Sequence, residues 1–131
     1  MPERYAFDYA VVRIVPRIDR EEFINAGVIL HARAAGFLGC EMSLDREVLR
    51  AFDPGRSLDA DSVSAHLQAM RDVCGGAAAG GPIARLPTAE RFHWLVAPRS
   101  TAIQLSPVHA GVTEDPAATL RQLYDALVAR H

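Results

Sequence analysis

A chain of 131 residues with half its side chains apolar is long enough to bury a core of its own and too hydrophobic to stay disordered. Its 14 basic and 16 acidic side chains nearly cancel, which argues against a nonspecific nucleic-acid binder. No apolar run approaches the roughly 20 residues that span a bilayer.

In chain order, Tyr5, Phe7, Tyr9 and Val11 alternate through a first strand over residues 5–16, ended by Pro16. Arg17 to Arg20 makes a turn. Asp19 then caps a short helical segment through Ile24, with Glu21 and Glu22 in its first turn. That places Glu22 and Asn25 one helical turn apart, and Gly27 closes the segment. A second strand over residues 28–33 and a third from Phe37 to Ser43 form a hairpin about Ala35-Gly36. Asp45 caps a short helix that buries Val48, Leu49 and Phe52 and stops at Asp53-Pro54-Gly55. A longer helix opens at Asp59 or Asp61, with Val63, Leu67, Met70 and Cys74 on one inward stripe. The Gly/Ala-rich stretch 75–82 reads as a flexible loop inside a single domain covering residues 1–131. It lacks the ending of a phosphate loop. Strands follow over Arg91 to Ala97, where Trp94 reads as core with Phe92 and Val96, and over Ala102 to Leu105. Asp115 and Pro116 then open a last helix with Leu120, Leu123, Tyr124, Leu127 and Val128 on its apolar face. The blocks predict an α+β fold: an antiparallel or mixed sheet of about five strands with helices mainly on one face.

Arg13 stands in a strand otherwise made of Val and Ile, and a buried guanidinium needs a carboxylate or several carbonyl acceptors. The plainer reading is an internal Arg13–Glu22 ion pair buttressed by Asn25, whose amide can bond exposed backbone nearby. The functional reading makes Arg13, Glu22 and Asn25 one side of a small anion-binding site. Its other side comes from Arg91, Arg99, Ser100, Thr101 and Gln104. Arg99-Ser100-Thr101 offers a guanidinium, hydroxyls and backbone N–H groups to an anion, and equally fits a solvated hairpin loop. All 14 basic residues are arginine, which suits bidentate recognition of phosphate or carboxylate and also fits the compositional bias of a GC-rich genome.

Other chemistry is poorly represented. The histidines occur singly, and Cys40 and Glu41 are strand neighbours that point to opposite faces, so no metal or cofactor is expected. Ser100, Ser106 and His109 lack a nucleophile elbow, and Ser106-Pro107 reads as a turn starter. Met1-Pro2-Glu3-Arg4 has no basic-then-apolar pattern, so no secretory signal is expected. Cys40 and Cys74 read as free thiols of a reducing cytoplasm.

Tyr9-Ala10-Val11-Val12-Arg13-Ile14-Val15-Pro16, then Glu22-Phe23-Ile24-Asn25-Ala26-Gly27-Val28-Ile29-Leu30, resembles the bacterial domain-of-unknown-function family 3037. Pro98 to Pro107, Asp115-Pro116 and the closing leucine helix continue the resemblance, while residues 50–90 contribute little. The resemblance implies a small bacterial cytoplasmic protein, with a HipA-like serine/threonine kinase as partner, and supplies no catalytic residue.

The leading expectation is a non-catalytic regulatory or adaptor module with an Arg/Gln-lined anion pocket built from Arg13, Arg99 and Gln104. The alternative is a phosphoester- or nucleotide-processing enzyme using Glu22 as acid/base with Arg13 and Arg99 as clamps. A third reading is a self-associating or nucleic-acid module, the latter disfavoured by charge and by the few aromatic residues.

Overall fold

The computed structural model describes residues 3–98 and 102–129. Five antiparallel strands form one sheet: β1 (Tyr5–Ile14), β2 (Ile24–Ala32), β3 (Phe37–Met42), β4 (Ile103–Leu105) and β5 (His109–Thr113). Their order is β3-β2-β1-β4, with β5 also paired to β1. β1 therefore has β2 along one edge and two short strands sharing the other. β5 covers Tyr5–Tyr9 and β4 covers Val12–Ile14.

Ser106 closes the gap between those two strands. Its N–H donates to the Val11 carbonyl at 2.9 Å, and its hydroxyl accepts from the Val11 N–H at 2.8 Å. The same hydroxyl donates to the Pro107 carbonyl. A buried backbone donor must be paired, and here a side chain does what a strand would otherwise do.

Helices α1 (Arg46–Phe52), α2 (Ala60–Gly75) and α3 (Thr88–Val96) pack on one face, and α4 (Pro116–Leu127) covers the other. The first core joins Val12, Ile14, Ile29 and Met42 to Leu67, Met70 and Leu95; the second joins Phe7, Val28 and Leu30 to Leu120. Three helices open as expected. The Asp45 carboxylate accepts from the Glu47 and Val48 N–H groups, that of Asp59 from Asp61, and that of Asp115 from Ala118. The α2 stripe is buried at Val63, Leu67, Met70 and Cys74, as its spacing predicts.

Several expectations are corrected. Only a 3-10 turn, Ile18–Arg20, stands between β1 and β2. Asn25 lies inside β2, so Glu22 and Asn25 share no helix. Glu21 makes the entry to β2 with a left-handed backbone, φ 54°. Residues Arg91 to Val96 belong to helix α3, not a strand. There the Arg91 guanidinium donates to the Val73 and Cys74 carbonyls at the end of α2 and to the Leu86 carbonyl, satisfying a helix C-terminus. The fifth strand is β5 instead. Phe52 and Trp94 are exposed rather than core. The second half of the Gly/Ala-rich stretch forms 3-10 turns within Ala78–Arg85, and a Cβ on Gly80 would lie 2.7 Å from the Ala84 Cβ.

Gly27 is a strand glycine. It pairs with Val12 on one side and Met42 on the other, and a Cβ there would lie 2.6 Å from the Met42 Cγ and 2.8 Å from the Glu41 carbonyl oxygen. Gly27→Ala is expected to destabilise the fold by about 1–3 kcal/mol through overpacking, read as a lower urea midpoint. Ser106→Ala strands the Val11 N–H and is expected to cost about 1–3 kcal/mol in the same measurement.

Candidate functional site

β2 carries an irregularity where β1 passes from Val12 to Arg13. Val12 pairs with Gly27, but Arg13 pairs with Asn25, leaving Ala26 as an extra residue. This β-bulge lets both Gly27 and Ala26 serve the α1–α3 side, while Ile24 still reaches the core beside Ile14. Asn25 is thereby placed next to Arg13. On the other side Arg13 pairs with Gln104 of β4. Directly opposed residues share a face, so Gln104, Arg13 and Asn25 form one row across three strands. Three of the expected site residues are brought together by register alone.

The row lies on the α4 face. The Asn25 side-chain amide donates to the Leu127 carbonyl at the end of α4, at 3.1 Å. Its oxygen is buried without a partner. Asn25 also lines a small cavity of about 20 Å³ beside Ser43 and Val128.

Arg13 does not find the carboxylate expected of it. Glu22 is ion-paired to Arg20, with 2.8 Å between Oε1 and Nε, and it lines a cavity of about 500 Å³ with Arg17, Arg20, Phe52 and Asp53, to which Arg13 does not contribute. The Arg13 guanidinium instead lies over the Phe23 ring, 4.1 Å from its centroid, a cation–π contact worth about 0.5–2 kcal/mol. Its Nε is buried and bonds nothing. Its terminal nitrogens bond no described group and reach solvent. The internal Arg13–Glu22 pair is therefore absent. A half-buried cation is held by an aromatic face, with its outer edge uncommitted.

The remaining candidates divide. Arg99, Ser100 and Thr101 lie outside the described residues. Arg91 is committed to backbone carbonyls at 2.9–3.2 Å and is no part of the row. Glu22 belongs to a different cavity. Phe23 is 43% exposed and is the contributor that sequence reasoning missed. Its signal was present as an aromatic just ahead of Asn25, but its role depends on the bulge. Cys40 faces the α2 side and Glu41 the α4 side, where it meets Arg121 at 3.2 Å. Among the described residues no group of three or more His, Cys, Asp or Glu is placed to hold a metal, and no helix is long and apolar enough to cross a membrane.

His31, toward the other end of β1 and on the opposite face, is also polar and buried. It pairs across strands with Asp8, stacks on Phe92 with 5.3 Å between ring centroids, and meets the Thr88 hydroxyl through Nε2 at 3.2 Å.

An antiparallel α+β sheet with an uncommitted arginine is the class that fold and site define. A family model matches residues 9–128, and the chain belongs to the family described as Protein of unknown function (DUF3037). No curated protein and no solved structure matches it.

Burial holds His31 below the ordinary imidazole value, only partly offset by the Asp8 charge. The unfolded chain therefore takes up this proton first as pH falls. The stability that neutral His31 contributes is complete above about pH 6.5 and is lost as pH drops from there toward its lower folded value. The urea midpoint should fall between about pH 7.5 and about pH 5.5, and His31→Gln should flatten that fall.

Proposed function

We propose that this protein is a non-catalytic adaptor module that docks an anionic side chain or chain terminus of a protein partner against Arg13 and Gln104. The observation that carries the reading is the Arg13 guanidinium, half-buried, stacked on Phe23 and without a counter-charge. A buried donor left unpaired costs about 1–3 kcal/mol, and a partner carboxylate or phosphate on the outer edge would neutralise this charge. Exposed Phe23, and Leu127 at the end of α4, supply apolar surface around it. Arginine and aromatic residues together are typical of the energetic centre of protein interfaces. The larger cavities near Glu22 and on the α3 face are lined by other residues, so the arginine belongs to open surface rather than to an enclosed reaction chamber.

This geometry favours the adaptor over the enzyme reading. The acid/base Glu22 is tied to Arg20, and a phosphoryl-transfer site needs carboxylate and arginines around one reacting group. Arg99 and Ser100 stay in the proposal as chain neighbours of β4, and a HipA-like serine/threonine kinase is the partner to test first. A regulatory role would follow from occupancy of that partner.

The test is calorimetric titration of the purified kinase from the same genome with wild type and Arg13→Met, which keeps the aliphatic contact with Phe23. The variant should lose about 2 kcal/mol of affinity, roughly thirtyfold, as for truncation of an interfacial charge pair. Its folding stability should change by less than about 1 kcal/mol, because losing the cation–π contact is offset by removing an orphaned donor. Loss of stability by more than about 1 kcal/mol with affinity unchanged would make Arg13 a structural residue and end the proposal.

A further inference from the structure

The α3 face of the sheet carries a groove of about 560 Å³, lined by residues other than the Arg13 row. Its walls are apolar, with Phe92 on α3 and Val108 just ahead of β5. Its floor is His31, only 7% exposed. One ring nitrogen of His31 is committed to Thr88. The other bonds no described group, and His31 lines the groove.

Two charges of opposite sign stand at the rim. Asp8 is the cross-strand neighbour of His31, and Arg33 follows His31 just past the end of β2. Both are exposed and both line the groove. Neither side chain makes an ion pair within 4.0 Å, with the other or with any described residue. His93 completes the rim. Opposite charges that share a groove without meeting match a ligand that brings both counter-charges itself. The volume and the apolar walls with a few polar groups fit a small-molecule site. A nucleotide would set several negative charges beside Asp8, and a purely apolar ligand would leave both rim charges unmatched.

We propose that this groove binds a free α-amino acid with an apolar side chain. Its carboxylate sits at Arg33, its ammonium group at Asp8, and its side chain against Phe92 and Val108. The other ring nitrogen of His31 bonds the polar head. This site is independent of the Arg13 row, which lies on the opposite face of the sheet.

The experiment is calorimetric titration of the full chain with L-leucine and L-phenylalanine, beside isocaproate and isoamylamine, which keep the leucine skeleton and one charge each. At least one amino acid should bind saturably, and both single-charge analogues should bind at least about tenfold more weakly than leucine, the scale of a lost charged hydrogen bond. Arg33→Gln should weaken the amino acid about tenfold and leave isoamylamine unchanged, and Asp8→Asn should weaken it similarly and leave isocaproate unchanged. Both side chains are exposed, so unchanged circular dichroism certifies the fold of each variant. The proposal is overturned by no saturation up to about 10 mM, by analogues that bind as tightly as the amino acid, or by either substitution having no effect.

Discussion

Every buried N–H and C=O of β1 must be paired on both edges, and this constraint organises the molecule. β2 satisfies one edge continuously. The other edge is satisfied by two short strands that run in the same direction, both antiparallel to β1, with Ser106 bonding Val11 between them. That junction divides β1 into halves with different company. The C-terminal half, beside β4, carries Arg13. The N-terminal half, beside β5, carries Asp8. Because side chains alternate along a strand, these residues at an odd offset fall on opposite faces. Two polar surfaces thus arise from one strand without competing for the same space.

The bulge at Ala26 solves a second problem. Regular alternation would put Arg13 opposite Ala26 and Ile14 opposite Asn25, setting an amide against the core. One extra residue restores Ile14 to Ile24 and brings Asn25 to Arg13. The core gains an apolar pair, and the polar residues are gathered on the α4 side. The gathering is incomplete: Arg13 Nε and Asn25 Oδ1 remain without partners. Among the described residues the other buried side-chain polar atoms are partnered, as at Ser106 and Asp53, so the unmet hydrogen bonds are concentrated in this one row. Asp53 shows the contrast. Its carboxylate accepts from the Ser57 hydroxyl and from the Ser57 and Leu58 N–H groups, which holds it below the usual carboxylate range. That side chain is fully used by its turn.

Much of the scaffold was legible in the sequence because local signals and tertiary demands agree there. Asp45, Asp59 and Asp115 cap the helices they announce, and the Val63-Leu67-Met70-Cys74 stripe is buried as its spacing requires. The failures share a cause. Glu22 to Gly27 could be read with a period of 3.6 because the bulge breaks the alternation of β2, and a bulge exists only once β1 is paired with it. Phe92, Trp94 and Val96 alternate, yet Phe92 and Leu95 also fit a helix; in α3 those two are buried and Trp94 is left exposed. Strand β5, with a proline just ahead of it and Ala110-Gly111 within it, has weak intrinsic strand preference and is held by pairing with Tyr5–Tyr9. For the candidate site, the residues Arg13, Asn25 and Gln104 could be named from sequence, but not the partner of the guanidinium. A carboxylate nearby in sequence was the natural choice, and Arg20 was nearer to it.

The two surfaces share β1 and β2, and their relation follows from how those strands are held. Ala26 to Ala32 is buried throughout, with Ile29 packed into one core and Val28 and Leu30 into the other. An interior packed from both sides resists continuous deformation, and coupling between sites needs an element with two discrete arrangements that both ligands bias. The described sheet presents one arrangement: a strand clamped between two cores, with each polar surface built from side chains that project away from the other. On the two proposals made above, a ligand in the His31 groove and a partner at Arg13 would bind with additive free energies. The sheet acts as a rigid partition, and any communication between the two faces would have to pass through the elements at its ends rather than through the strands themselves.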